Sequence, residues 1–204
     1  MTEKTFVHIL DSSLRDGSHA LSHQYTAAQV SSVARALDDA GVEMIEVSHG
    51  DGLGGSTITY GFSKQSEMEL LQAASEVIKR GKLAVLLLPG IGTKDDLKMA
   101  ADYGAKVAQI ATHVTEADIA QQHIGVAKKL GMEVIGMLML SHMGSPEKIA
   151  EQGKLMESFG ADVSGMSGSQ MSPCRGRGDE TPFLRRFIWS RHLDLYKRTS
   201  WFQR

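Results

Sequence analysis

The stretch "YGAKVAQIATHVTEADIAQQHIGVAKKLGMEVIGMLML", residues 103–140, decides the fold class. It contains two continuous apolar runs, 107–112 and 134–140, each preceded by a glycine, Gly104 and Gly131. Between them lies a polar segment long enough for one helix. Continuous rather than alternating apolar character suits parallel strands covered on both faces. A glycine just before such a run suits a left-handed helix C-cap, which a residue without a Cβ adopts at least cost.

The same unit recurs outward in both directions. Further buried strands are expected at 6–11, 44–48 and 83–88, and "AGVE", "RGKL" and "FGAD" repeat the helix, glycine, strand order at Gly41, Gly81 and Gly160. Ala27, Val30, Ala34 and Leu37 recur at three- and four-residue spacing and share one helix face. Thr26, Thr93, Thr115 and Ser145 stand where N-caps belong, and Pro146 stands at a first helical position. Five repeats specify a βαβ array. The later strands follow one another at about 24 to 28 residues, a tight repeat that favours a (β/α)8 barrel over a doubly wound sheet. A full barrel takes about 250 residues. The 204-residue chain reaches about five βα units and a candidate sixth strand at "ADVSGM", so a partial TIM barrel over residues 1–163 is expected.

After that point the composition changes. Residues 164–204 hold eight Lys and Arg against three Asp and Glu, a charge of +5, so the preceding residues carry −7 of the net −2. This segment also contains both tryptophans and the single cysteine, Cys174. It is expected to be a divergent basic tail outside the barrel pattern. One cysteine excludes a disulfide framework and fits a reducing cytoplasm. The net charge argues against a nucleic-acid binder, and no apolar run approaches the length of a membrane span.

Function in a parallel barrel collects on the loops after the strands. "DSSLRDGSHALSHQYT", residues 11–26, places Arg15, Asp16 and His19 there, after the first strand and before the first helix. Asp16 is a hard oxygen donor suited to a divalent cation. Arg15 offers a planar fork for a carboxylate or an enolate oxygen, and His19 can move a proton near neutral pH. The bland alternative is an Arg–Asp pair tying down a loop. "HGDGLGG" matches G-x-G-x-x-G through Gly50, Gly52 and Gly55, which would suit a nicotinamide-dependent enzyme. But "STITYGF" follows and opens no helix. His49, His113 and His142 sit near strand ends and read as supporting or loop residues; His8 and His123 read as structural.

"DSSLRDGSHALSHQYT" resembles the first-strand signature of the metal-dependent carbon–carbon lyases built on a TIM barrel. "SHGDGLGGSTITYGF", "LLLPGIGT", "ATHVTEAD" and "SHMGSPEKIAEQGKLMESFGAD" narrow the resemblance to the 4-hydroxy-2-oxovalerate aldolase family, over about residues 5–163. The resemblance implies retro-aldol cleavage of 4-hydroxy-2-oxopentanoate to pyruvate and acetaldehyde in aromatic-compound catabolism. It implies Arg15 and His19 as catalytic residues, Arg15 and Asp16 at the substrate, and Asp16 as a ligand to a divalent metal, typically Mn2+. It also implies an acylating acetaldehyde dehydrogenase as partner, though the family's contact region is absent here. Leu86 and Leu88 would line the barrel mouth, or belong to ordinary core.

The departures are specific. Ser13 stands where the family has threonine. The family draws two more metal ligands from a His-x-His pair on its seventh strand, and the eight histidines here contain no such pair. "SGS" at 167–169 replaces an Ala-Asp-Ser motif, and the last tyrosine, Tyr196, falls in the basic tail. The expectation is therefore a C-terminally truncated aldolase, weak or inactive alone. A non-catalytic half-barrel that pairs with another chain is the alternative.

Overall fold

A computed structural model describes residues 8–167 and the two-residue strand at 189–190. Six strands run parallel in chain order: β1 (Leu10–Asp11), β2 (Met44–Glu46), β3 (Lys82–Leu87), β4 (Val107–His113), β5 (Glu133–Met139) and β6 (Val163–Met166). Each lies beside its predecessor, so the sheet order is the sequence order. A doubly wound sheet reverses order at a switch point; this one never does. It is a curled half-barrel with helices on its outer face, as the repeat spacing predicts. β7 (Trp189–Ser190) adds to the β6 edge antiparallel, with Ser164 opposite Trp189. Apart from β6, β7 and Ser167, the expected basic tail lies outside the described residues.

Five helices connect the strands: α1 (Ala27–Asp39), α2 (Glu67–Ser75), α3 (Lys94–Asp102), α4 (Gln121–Lys129) and α5 (Pro146–Ser158). Thr26 and Thr93 each close a capping box, and Ser145 caps α5 with Pro146 at its first position. Ser66 forms a third capping box, with Glu69, ahead of α2. Thr115 is not a cap. A 3-10 turn over Ala117–Ala120 precedes α4, which starts after Ala120 without a side-chain cap. The Ala117 N–H is satisfied instead by Gln152 Oε1 of α5, at 3.1 Å.

Gly41, Gly104, Gly131 and Gly160 take the left-handed conformation expected after a helix. Gly81 does not, and its need for a missing Cβ has another origin. A Cβ there would sit 2.7 Å from the Val42 carbonyl oxygen, and its N–H donates to Asp38 Oδ1 at 2.6 Å. Buried Asp38 also accepts the N–H groups of Lys79 and Arg80 at 3.0 Å each, pinning the turn before β3 to the end of α1. Burial works to raise the carboxyl of Asp38, but these backbone donors and nearby Arg80 outweigh it and hold it below its ordinary value.

The strands divide their side chains between two faces with period two. Ile45, Val47, Leu83, Val85, Leu87, Ala108, Ile110, Val134 and Leu138 join the core under the helices. Glu46, Ala84, Leu86 and Gln109 are buried outside that cluster, on the inner side of the curl. β3 and β4 are buried almost throughout, whereas β5 alternates buried and half-buried residues. The inner face therefore opens to solvent toward β5. Among the described residues, no helix is long and apolar enough to cross a membrane.

Candidate active site at the ends of the first two strands

The loop after β1 is fixed by its own backbone. The N–H groups of Arg15, Asp16 and Gly17 converge on the Ser12 carbonyl at 3.0, 2.8 and 3.3 Å, and Ser13 N–H donates to Asp11 Oδ1. This turn sends Arg15 across to β2. Its Nε donates to Glu46 Oε2 at 2.7 Å, and its Nη1 donates to Asp16 Oδ1 at 2.9 Å and to the Gly50 carbonyl at 3.4 Å. Glu46 is fully buried, so Arg15 is its counter-charge rather than a solvated loop residue. Burial raises the Glu46 carboxyl above its ordinary value; the Arg15 charge and hydrogen bond oppose this, and nearby Asp16 adds to it. Glu46 Oε1 has no hydrogen-bond partner among the described residues.

Asp16 is mostly exposed and opens a 3-10 turn, Asp16–Leu21, that carries His19. The chain then passes through two left-handed residues that are not glycine, Ser22 and His23, at φ 49° and 61°. Such a conformation costs on the order of 1 kcal/mol per residue and tends to persist where surrounding contacts enforce it. Here it turns His23 inward. Its Nδ1 lies 3.0 Å from Ser18 Oγ, its ring stacks on His49 at 3.7 Å between centroids, and His19 meets it edge-on at 5.0 Å.

His49 follows β2 and is buried. Its Nε2 donates to the Gly61 carbonyl at 3.1 Å, and its Nδ1 accepts the Asp51 N–H at 3.1 Å. Burial lowers the pKa of both His23 and His49, and the neighbouring imidazoles lower it further. Both rings are therefore neutral at neutral pH.

The glycines of "HGDGLGG" make this crowding sterically feasible. A Cβ on Gly50 would lie 2.6 Å from the His19 ring, one on Gly55 2.5 Å from His49 Nδ1, and one on Gly52 2.7 Å from the Leu86 carbonyl oxygen. The loop opens no helix; α2 starts only at Glu67, whose Oε2 accepts the Gly54 N–H at 3.1 Å. The segment is a cradle for side chains and for the end of β3, not a dinucleotide loop. Leu86 is buried with its carbonyl holding Leu53 N–H at 2.8 Å, and Leu88 is half-buried beyond it. His113 and His142 are exposed, and His123 is buried.

Arg15, Asp16 and His19 thus lie together at one strand-end site. Glu46, His23 and Asp51 join them, and sequence reasoning did not single these out as site residues. A charged residue inside the apolar run "MIEV" was a signal for Glu46, and His23 falls within nine residues of Arg15 in the same polar stretch that holds Asp16 and His19; nothing in the local pattern marked Asp51. Ligand atoms of His19, His23 and Asp51 lie within 4.8 Å of one another, whereas Asp16 belongs to no such group among the described residues.

The family model described as HMGL-like matches residues 6–169. The chain is 63% identical over 163 residues to the 4-hydroxy-2-oxovalerate aldolase of Moorella thermoacetica, which covers 80% of this chain and 48% of that one. It is 57% identical over 155 residues to the enzyme of the same name from Thermus thermophilus, covering 76% and 45%. The chain therefore spans about half the length of these curated relatives. Among solved structures, the carboxyl transferase domain of Rhizobium etli pyruvate carboxylase superposes with a TM-score of 0.65 at 14% identity, over 78% of this chain and 30% of that one. The N-terminal domain of a putative aldolase from Bacteroides vulgatus gives 0.56 at 18%, over 79% and 64%. These two likenesses concern the fold, a TIM-barrel-like one. With the family pattern running from the first strand through the sixth, the chain belongs to the HMGL-like family.

Proposed function

We propose that this chain carries the first-strand half of a pyruvate aldolase site, one that cleaves 4-hydroxy-2-oxopentanoate to pyruvate and acetaldehyde. The observation that carries the reading is Arg15. It is anchored by buried Glu46 through Nε, while its Nη1 edge faces Asp16 and the Gly50 carbonyl. A guanidinium held this way presents a fixed positive edge to the carboxylate of a 2-oxo acid and to the enolate oxygen that develops as the carbon–carbon bond breaks. His19, on the same loop and exposed to solvent, takes the proton from the 4-hydroxyl. Resemblance to the aldolases carries these roles together with the geometry.

The expected cofactor is a divalent metal, Mn2+ in type, which polarises the 2-oxo group when bound. Asp16 offers it one oxygen donor. The described residues give Asp16 no second donor, and the sequence has no His-x-His pair to complete the set. Hard cations need several donors, so the chain alone is expected to turn over weakly or not at all. An acylating aldehyde dehydrogenase as partner and a cytoplasmic location belong to the same proposal.

A chimera tests the site apart from the length of the chain. Residues 8–163 would replace the matching segment of the Moorella thermoacetica relative. Metal-dependent pyruvate release is expected from it, falling about 100-fold or more in Arg15→Ala and His19→Ala. A folded chimera that releases no pyruvate would refute the reading.

A further inference from the structure

We propose that His19, His23 and Asp51 form a binding site for a borderline divalent transition metal, Zn2+ in type, separate from any ion held by Asp16. Two imidazoles and one carboxylate are the donor set such ions take when open positions are left for water or another ligand. The ligand atoms already lie within 4.8 Å of one another, with His23 buried, Asp51 half-buried and His19 exposed. An ion reaches the site from the His19 side.

Three observations argue that this is a built site rather than a chance cluster. The first is the orientation of His23. Its backbone is held left-handed, and when its Nδ1–H donates to Ser18 Oγ its Nε2 carries the lone pair. The second is the proton arrangement of His49. With Nε2–H given to Gly61 and Nδ1 accepting the Asp51 N–H, His49 has no proton left for the Asp51 carboxylate, whose Oδ2 lies 3.5 Å from that same Nδ1. The carboxylate is thus left facing an acceptor, and a cation relieves the conflict. The third is Gly50, which alone allows the His19 ring to close over the loop. The Tyr60 carbonyl also hydrogen-bonds the His23 ring, a contact that an ion at this ring displaces.

In one respect the inference rests on the proposed function. If His19 moves the substrate proton, a metal-bound His19 cannot, so occupancy of this site and turnover exclude each other.

The test is titration of the full 204-residue chain, prepared without a histidine tag, with Co2+ as probe and Zn2+ as competitor. One Co2+ per chain with visible ligand-field bands, displaced by Zn2+, is expected. Asp51→Asn and His23→Gln should each weaken binding about tenfold or more, while Asp16→Asn should leave it unchanged. Asp51 is partly exposed, so its variant keeps the test sound if His23→Gln unfolds; far-ultraviolet circular dichroism checks both. Absence of bands, bands unchanged in folded Asp51→Asn, or bands lost in Asp16→Asn would each overturn the proposal. These readouts do not depend on pyruvate release, so failure of the aldolase reading leaves a distinct signature.

Discussion

Removing Arg15 isolates the effect of burying Glu46. Glu46 has no exposed surface, and Arg15 Nε at 2.7 Å is its hydrogen-bonding counter-charge. Arg15→Ala leaves that carboxylate buried and unpaired, which costs about 3–5 kcal/mol. For a domain of this size 1 kcal/mol shifts Tm by about 2–4 °C, so the loss is on the order of 10 °C. Glu46→Gln in the same chain removes the stranded charge, and Arg15→Ala/Glu46→Gln should recover more than half of the loss. The wild-type pH dependence follows from the same pair. A carboxyl held above its ordinary value binds its proton more tightly folded than unfolded. Its contribution is therefore fully present below the unfolded pKa near 4.5 and is lost as pH rises through the higher folded value. Glu46→Gln should flatten that slope. Urea denaturation followed by circular dichroism gives each midpoint, with an unchanged m-value as the control. A double variant no more stable than Arg15→Ala would refute the idea that an uncompensated Glu46 charge is what Arg15 prevents.

Asp38 behaves in the opposite sense. Its carboxyl is held low by backbone donors, so its contribution is present above the unfolded pKa and is lost as pH falls through the folded one; Asp38→Asn should cost about 1–3 kcal/mol at pH 7 and reduce acid sensitivity in urea titrations. Gly52→Ala combines a φ of +87° with a 2.7 Å approach to the Leu86 carbonyl and should cost about 2 kcal/mol or more, read as a fall in thermal midpoint. His23 and His49 are held below the ordinary histidine value, so their contribution is full above pH of about 6.5 and is lost as pH falls below it; His49→Gln should flatten thermal midpoints measured from pH 7 to 5.

Much of the barrel wall was legible because its signals are local and periodic. Apolar runs, a cap before α1, α3 and α5, and a glycine after four helices each need only a few neighbouring residues to be read. Thr115 failed because a tertiary contact, Gln152 to the Ala117 N–H, did the work that a cap does elsewhere. Gly81 was located correctly for a different reason, since its constraint comes from Asp38 and Val42, both distant in sequence. The site divides the same way. Arg15, Asp16 and His19 are close in sequence and stand out as charge after an apolar run. Glu46 pairs with Arg15 across 31 positions, and the meeting of His23, His49 and Asp51 depends on two left-handed residues and a glycine loop. Neither is encoded in spacing alone.

The sequential order of β1 to β6 has a consequence for biosynthesis. Every parallel strand pairs with the one made just before it, so no pairing in this wall waits for a distant segment to leave the ribosome. The half-barrel can be laid down strand by strand during translation, with one crossover connection to close at each step. In such an order β5 is added onto β4, and its half-exposed inner side is a surface a nascent chain displays while synthesis continues.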